Sequence, residues 1–373
     1  MKIALFLGAG ASVPLDKPTT KQMKEKLTNY STSNLQDEIF QSFIIHPKFD
    51  DIEYILQSVR DIQNFSNNNG GMYFFENGKN GIFRYSKATV SFNEFTDKVK
   101  EVAKTLEDKI FENYRWNRNS NESLLKIYGK IFEFLKTKSD EIHIFSTNYD
   151  KAIEQFCNLK NMEFICIDGF ERNPSHSEFA KWTGNFNPIT DGNKTNIFLY
   201  KLHGSLNWKV HVDEGLIRTN EESKPDDHNF VENMVIYPTI SPKEEESKEP
   251  YRTIIEKFKQ QMQKLDVCIV IGYSFRDSLN EIFVDFVSSG GQLADISPNV
   301  ITDYRTHVLK MKVEQNAINE WKQLPYVLDK TSTIKGQIDT ILIQKRLELE
   351  TVEEIINDVG FWLLPKDPSQ VQR

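Results

Sequence analysis

The chain has 373 residues and a formal net charge of −8, from 46 Lys and Arg against 54 Asp and Glu. Hydrophobic residues make up 39 %, with 26 Phe and 13 Tyr, which argues against global disorder and allows either one large α/β domain with insertions or two to three domains of roughly 100–200 residues. The acidic balance disfavours a general nucleic-acid coat, and no run of about 18 apolar residues predicts a membrane span. Cys157, Cys166 and Cys268 stand apart with no metal-ligand spacing, which fits a reducing cytoplasm.

Lys2–Leu7 is a short apolar run and predicts a buried strand; it is too short for the apolar core of a signal peptide. It ends at Gly8-Ala9-Gly10-Ala11-Ser12. Glycines after a strand let the backbone approach a pyrophosphate, and a following helix offers amide donors. The usual fingerprint has a third glycine where this chain has Val13, so the turn read alone is also compatible with a purely structural role. Pro18-Thr19-Thr20 then opens a stretch, Lys21 to Leu27, with helical spacing and an N-cap candidate.

Residues from about 30 to 140 predict a mainly helical insertion, with apolar residues at three- and four-residue spacing in Asp51–Arg60, Phe92–Tyr114 and Glu122–Lys138. Asn67-Asn68-Asn69-Gly70-Gly71, continuing to Gly81, reads as a loop. Three further strands follow, each with polar residues at its C-terminal end. Ile142–Ser146 runs into Thr147-Asn148-Tyr149-Asp150, Ile197–Lys201 into Leu202-His203-Gly204-Ser205, and Val267–Ile271 into Gly272-Tyr273-Ser274-Phe275-Arg276-Asp277 before a helix from about Ser278. Open parallel sheets bind ligands beyond the carboxyl ends of their strands, so the four segments predict one crevice. Ser297-Pro298-Asn299 is a turn by composition and a fifth candidate contact. Glu221–His228 and Ser241–Glu249 read as solvated loops. The stretch from Val308 to Arg373 carries helical pattern at Ile338–Ile356, and no internal repeat is present.

The chemistry of these ends is specific only in combination. Asn148 and Asp150 sit where an amide and a carboxylate reach a ribose or a carboxamide, but Thr147 or Asn148 as the N-cap of a helix starting near Lys151 accounts for the same residues. His203, one of seven histidines, suits proton transfer near neutral pH.

Taken in order, GAGAS, TNYD, LHGS, GYSFRD and SPN resemble the sirtuin-like (SIR2-like) domains of bacterial anti-phage defence systems, over roughly residues 1 to 300. The resemblance implies an α/β fold: a Rossmann-like parallel sheet with a helical insertion, spanning 1–307, followed by a short C-terminal extension, 308–373, whose length alone suggests a part in assembly. It implies an NAD+ glycohydrolase with NAD as substrate, releasing nicotinamide and linear or cyclic ADP-ribose and depleting NAD+ in abortive infection. Asn148 and His203 match the family's residues required for cleavage, with Asp150 stabilising the developing charge or shaping the nicotinamide pocket. Gly8, Ala9, Gly10, Ala11 and Ser12 match the pyrophosphate cradle, and Thr147, Gly272, Ser274 and Asn299 match nucleotide contacts. The family implies a homo-oligomer and, in some systems, a hexameric DNA-translocase ATPase or another defence partner.

Two departures matter. The two CxxC pairs of a deacetylase zinc ribbon are missing, so no zinc is expected, and Val13 to Thr20 replaces the loop those enzymes carry after the glycine turn. Both shift the expectation from protein deacylation or ADP-ribosyl transfer toward NAD+ hydrolysis. A non-catalytic NAD- or ADP-ribose-binding subunit would keep the glycine turn without needing Asn148 and His203 together. A nuclease would need a carboxylate cluster that does not stand out.

Overall fold

The computed structural model describes residues 2–28, 92–173, 176–219, 230–236, 246–273, 279–289 and 291–296. The expectations for Asp51–Arg60, the loop from Asn67 to Gly81, the stretch Glu221–His228, most of Ser241–Glu249 and everything from Val308 onward lie outside these residues. The described chain divides into two compact units.

The smaller unit holds α1 (Thr20–Thr28) and α2 (Phe92–Tyr114). The expected N-cap is a reciprocal one. Thr19 Oγ1 accepts from the Gln22 amide at 3.2 Å and Gln22 Oε1 accepts from the Thr19 amide at 2.9 Å, so two amides that lack helical partners are satisfied. Met23 and Leu27 of α1 are buried, as are Val102, Leu106 and Ile110 of α2 at four-residue spacing. Lys26 Nζ donates to Asn113 Oδ1 at 3.0 Å.

The larger unit is built on a six-stranded, wholly parallel sheet in the order β11-β10-β1-β2-β6-β3. Its strands are β1 (Ile3–Leu7), β2 (Glu141–Ser146), β3 (Phe164–Ile167), β6 (Thr195–Lys201), β10 (Val267–Ile271) and β11 (Gln292–Ile296). Such a sheet is covered on both faces, which is why its strands are nearly continuous apolar runs. Alternate side chains supply two cores. Ile3, Leu5, Leu7, Ile142, Ile144, Ile197 and Leu199 pack with α3 (Asn121–Lys136) and α4 (Ala152–Leu159). Ala4, Phe6, Phe145, Phe198, Cys268 and Val270 pack on the other face with α5 (Tyr251–Met262) and α6 (Asn280–Ser288). Each fully buried side chain of this kind, Phe6 among them, contributes roughly 1.5–3 kcal/mol.

A second sheet was not expected from the sequence. Five antiparallel strands, β4 (Gly169–Asn173), β5 (His176–Asn185), β7 (Gly204–His211), β8 (Gly215–Thr219) and β9 (Phe230–Val235), pair in the order β4-β5-β8-β7-β9. It is continuous with the parallel sheet twice, because β3 leads into β4 and β6 into β7. Phe170, Ala180 and Trp208 join the α5-side core, and Phe170 lies 5.0 Å from the Trp208 ring. The buried Asp168, between β3 and β4, is ion-paired with Arg218 of β8. These strands hide from a periodicity reading because polar residues occupy buried positions: Asn207 and Lys209 of β7 are both buried.

Candidate functional site

The parallel strands end on one level. Ile271 is the register partner of Leu7, Leu7 of Ser146, and Ser146 of Lys201. The next residues, Gly272, Gly8, Thr147 and Leu202, therefore leave the sheet side by side. From β1 the chain moves to β2 on one side, and later returns to β10 on the other. The sheet thus has its topological switch between β1 and β10, where ligands bind in open α/β sheets. The described residues of the four sequence motifs converge on this edge.

The glycine turn is itself helical. A 3-10 helix, Ala9–Leu15, follows Gly8 directly and ends at Asp16 in the left-handed region at φ 62°. The amides of Gly8, Gly10 and Ala11 are already bonded inside the fold, to Ile271 O, Gly272 O and Gly8 O, each at 2.9 Å. The glycines serve a backbone crossing. A Cβ on Gly10 would lie 2.7 Å from Gly272 Cα, and a Cβ on Gly272, itself at φ 63°, would lie 2.4 Å from Gly10 Cα. Ala9 and Gly10 are the part-exposed members of the turn, while Gly8, Ala11 and Ser12 are buried. Tyr128 of α3 donates its hydroxyl to Ala11 O at 3.2 Å, and burial pushes its ionisation upward.

Behind this turn runs a directed chain of hydrogen bonds. Asn148 Nδ2 donates to Gly8 O at 2.9 Å and to Ser12 Oγ at 3.0 Å. Gly8 O only accepts, which fixes the amide orientation: both hydrogens of Asn148 point into the fold and its carbonyl Oδ1 is left to accept from another donor. Ser12 Oγ then donates to Asp150 Oδ2 at 2.7 Å, and Asp150 Oδ1 accepts from the Ala152 amide at 2.9 Å. Asp150 therefore caps the first amide of α4, which begins at Ala152, from one residue before the N-cap position at Lys151; neither Thr147 nor Asn148 does so. Thr147 bonds its own amide to Leu7 O at 3.1 Å.

His203 is buried at the end of β6, one residue beyond Leu202, whose amide bonds Ser146 O at 2.8 Å. Its carbonyl accepts from the Ile236 amide at 2.9 Å. Burial lowers the imidazole pKa from its ordinary 6.5 to about 4, opposed by the Glu246 carboxylate, so the ring is neutral at physiological pH. Gly204 follows at φ 80°, where a Cβ would meet Met234 O at 2.2 Å.

Sequence reasoning missed Lys201. This buried ammonium donates to Ser205 Oγ at 2.8 Å, to Tyr149 O at 3.3 Å and to Asp150 O, and it faces Glu154 Oε1 at 3.4 Å. It ties the two turns carrying Asn148 and His203 together. A lysine closing an otherwise apolar strand run was the available signal. Ser274 and Asn299 lie outside the described residues. Among the described residues no group of three or more His, Cys, Asp or Glu is placed to hold a metal ion, and no helix is long and apolar enough to cross a membrane.

Comparison with known proteins adds the following. The chain is similar to a Sir2 homologue solved in complex with NAD, at 11 % identity, with 79 % of this chain and 77 % of that chain covered and a TM-score of 0.38. A Sir2 homologue mutant in complex with ADP-ribose gives 11 % identity, 79 % and 80 % coverage and a TM-score of 0.35. A sirtuin structure concerned with substrate affinity gives 15 %, 79 % and 81 %, and 0.33. No curated protein matches the chain. Residues 142–323, a span that holds Asn148, His203 and Gly272 and leaves out the Gly8 turn, match the family model of the SIR2-like domain.

Proposed function

We propose that the protein is an NAD+ glycohydrolase, and that it depletes NAD+ in antiviral defence by abortive infection. The observation that carries the reading is the shared level of four strand ends. The segments that carry the glycine turn, Asn148, His203 and Gly272 leave the sheet side by side there, which supports one shared nucleotide site. The SIR2-like match over Asn148 and His203 points the same way.

The chemistry asks little covalent work of the protein. The electron pair of the nicotinamide–ribose bond passes to the pyridinium nitrogen, neutral nicotinamide leaves, and positive charge builds on the ribose. Water adds to that carbon and gives up a proton, so NAD+ and water become nicotinamide, ADP-ribose and a proton. Holding the ribose and stabilising the charge are then the main tasks. Asn148 Oδ1 accepts from a ribose hydroxyl or from the attacking water. His203, neutral at physiological pH, takes up the proton. Asp150 lies behind Ser12 with both oxygens bonded; it orients Ser12 and contributes negative charge at a distance. Ala9 and Gly10 face the pyrophosphate, with Thr147, Ser274 and Asn299 as further nucleotide contacts. The 308–373 extension serves homo-oligomer assembly, and a defence-system partner, such as a hexameric ATPase, holds the cytoplasmic enzyme silent until infection.

The test is incubation of the purified chain with NAD+, with and without its activating partner, and product identification by mass spectrometry. Free nicotinamide with ADP-ribose is expected from the wild type. Turnover that survives both Asn148→Ala and His203→Ala would overturn the assignment. Nicotinamide accompanied by a modified protein would assign the site to ADP-ribosyl or acyl transfer.

A further inference from the structure

The opposite edge of the parallel sheet holds a cavity that this function leaves unused. It has a volume of about 310 Å³ and lies between the starts of β1 and β2 and the C-terminal half of α5. Ile3 opens β1 and Glu141 opens β2, whereas Gly8 and Thr147 follow the strands' last residues. Strand β1, five residues at about 3.3 Å each, separates the cavity from the glycine turn by roughly 17 Å.

Its walls combine aromatic rings with positive charge. Phe186 stacks on Tyr200 at 4.7 Å, and the His143 ring stacks on Phe198 at 4.9 Å. The Tyr200 hydroxyl meets His143 Nδ1 at 3.3 Å, which sets polar groups among the rings. Lys2, Lys257 and Lys264 line the same space, against one carboxylate, Glu141. None of the three lysines forms an ion pair among the described residues. His143 adds no charge: burial, with Lys264 and Lys2 nearby, lowers its pKa to about 4. The cavity is therefore a net cationic, ring-walled space at the lower end of the size range of ligand pockets, roughly 300–1,000 Å³.

We propose that this cavity is a second ligand site, separate from the nucleotide crevice, and that it takes a small planar ring carrying a phosphate or a carboxylate. The ring packs among Phe186, Phe198 and Tyr200, and the anionic group meets Lys2, Lys257 and Lys264.

Phenyl phosphate is the simplest probe of that class. Isothermal titration of the full chain should show it binding at least about ten-fold more tightly than phenol or inorganic phosphate, since each lacks one half of the recognition. Lys257→Glu/Lys264→Glu should weaken phenyl phosphate by at least about ten-fold and leave the unfolding midpoint near that of the wild type, because Lys264 is exposed and Lys257 half-buried. Lys2→Glu serves as an independent variant of the same cluster. Saturating NAD+ should not displace the probe. Equal affinity for phenyl phosphate in wild type and both variants would overturn the proposal. Displacement by NAD+ would do so too, by placing the probe in the crevice. These readouts measure binding alone, so they stand whether or not the protein cleaves NAD+.

Discussion

The Ser12 hydroxyl donates to Asp150 Oδ2 at 2.7 Å, joining the glycine turn to the cap of α4 across 138 residues of chain. The same hydroxyl accepts from Asn148, so one oxygen connects the three elements around the crevice. Ser12→Ala leaves a buried carboxylate oxygen without its donor and an Asn148 hydrogen without its acceptor. A loss of about 1–3 kcal/mol is expected in urea unfolding. Because Ser12 and Asp150 form one unit, the double variant Ser12→Ala/Asp150→Ala should cost less than the two single losses added, with a coupling above about 0.5 kcal/mol. Strict additivity would show that the bond does not form.

Gly272 and Gly215 make a matched pair. Both have positive φ, 63° and 71°, but a Cβ on Gly272 collides with Gly10 and a Cβ on Gly215 meets nothing within 4 Å. Gly215→Ala should therefore cost only the left-handed conformation, about 1–2 kcal/mol. Gly272→Ala must also push the glycine turn away from β10 and should cost more than twice that, or prevent folding. Thermal unfolding of the two variants compares them directly; equal shifts would remove the crossing from the account.

The parallel sheet was legible because its physics is local. Strands covered on both faces must be apolar throughout; Val267–Ile271 reads as a strand with the observed bounds, and Lys2–Leu7 reads as one that begins a residue early, since β1 is Ile3–Leu7. The convergence of their ends also followed, because polar residues gathered where each apolar run stopped. Three features were hidden. The antiparallel sheet carries Asn207 and Lys209 in buried positions, which breaks the pattern that would reveal it. The role of Gly8 and Gly10 depends on Gly272, more than 260 residues away, which no local signal encodes. Asp150 as the cap of α4 could not be separated from Thr147 or Asn148, because all three residue types cap helices and only the backbone path decides.

The buried histidines predict how the protein responds to acid. His203 has a folded pKa of about 4 against an ordinary 6.5, so its neutral form is the one that folding favours. Above pH 6.5 neither state binds this proton and stability is unaffected. Between 6.5 and 4 the unfolded chain takes up a proton that the folded chain refuses, so stability falls as pH falls, by up to about 1.4 kcal/mol per pH unit for each such group. His143 has the same displacement and adds a second contribution. Urea unfolding at pH 7.5 and 5.5 should show His203→Gln losing about 1 kcal/mol less than the wild type over that interval. Identical losses would mean that His203 is not buried in its neutral form. The acid limb of kcat/KM for NAD+ cleavage follows the folded protein's own ionisation and should fall only as the pH approaches about 4.

Lys201 is the residue whose removal should reach furthest. Its ammonium is buried, faces Glu154 at 3.4 Å, and donates to backbone carbonyls of the turn that carries Asn148 as well as to Ser205 of the turn that carries His203. Lys201→Met fits the stem but leaves the Glu154 carboxylate uncompensated in the interior, and breaking a buried pair from one side typically costs about 3–5 kcal/mol. Replacing the carboxylate as well removes that charge, so Lys201→Met/Glu154→Gln should recover part of the loss. It should not recover all of it, because the Tyr149 and Asp150 carbonyls still lack their donor. The double variant separates the two roles of the lysine. A protein that regains its unfolding midpoint but not its turnover of NAD+ would place Lys201 in the positioning of the two turns. Full recovery of both would reduce it to a counter-ion for Glu154.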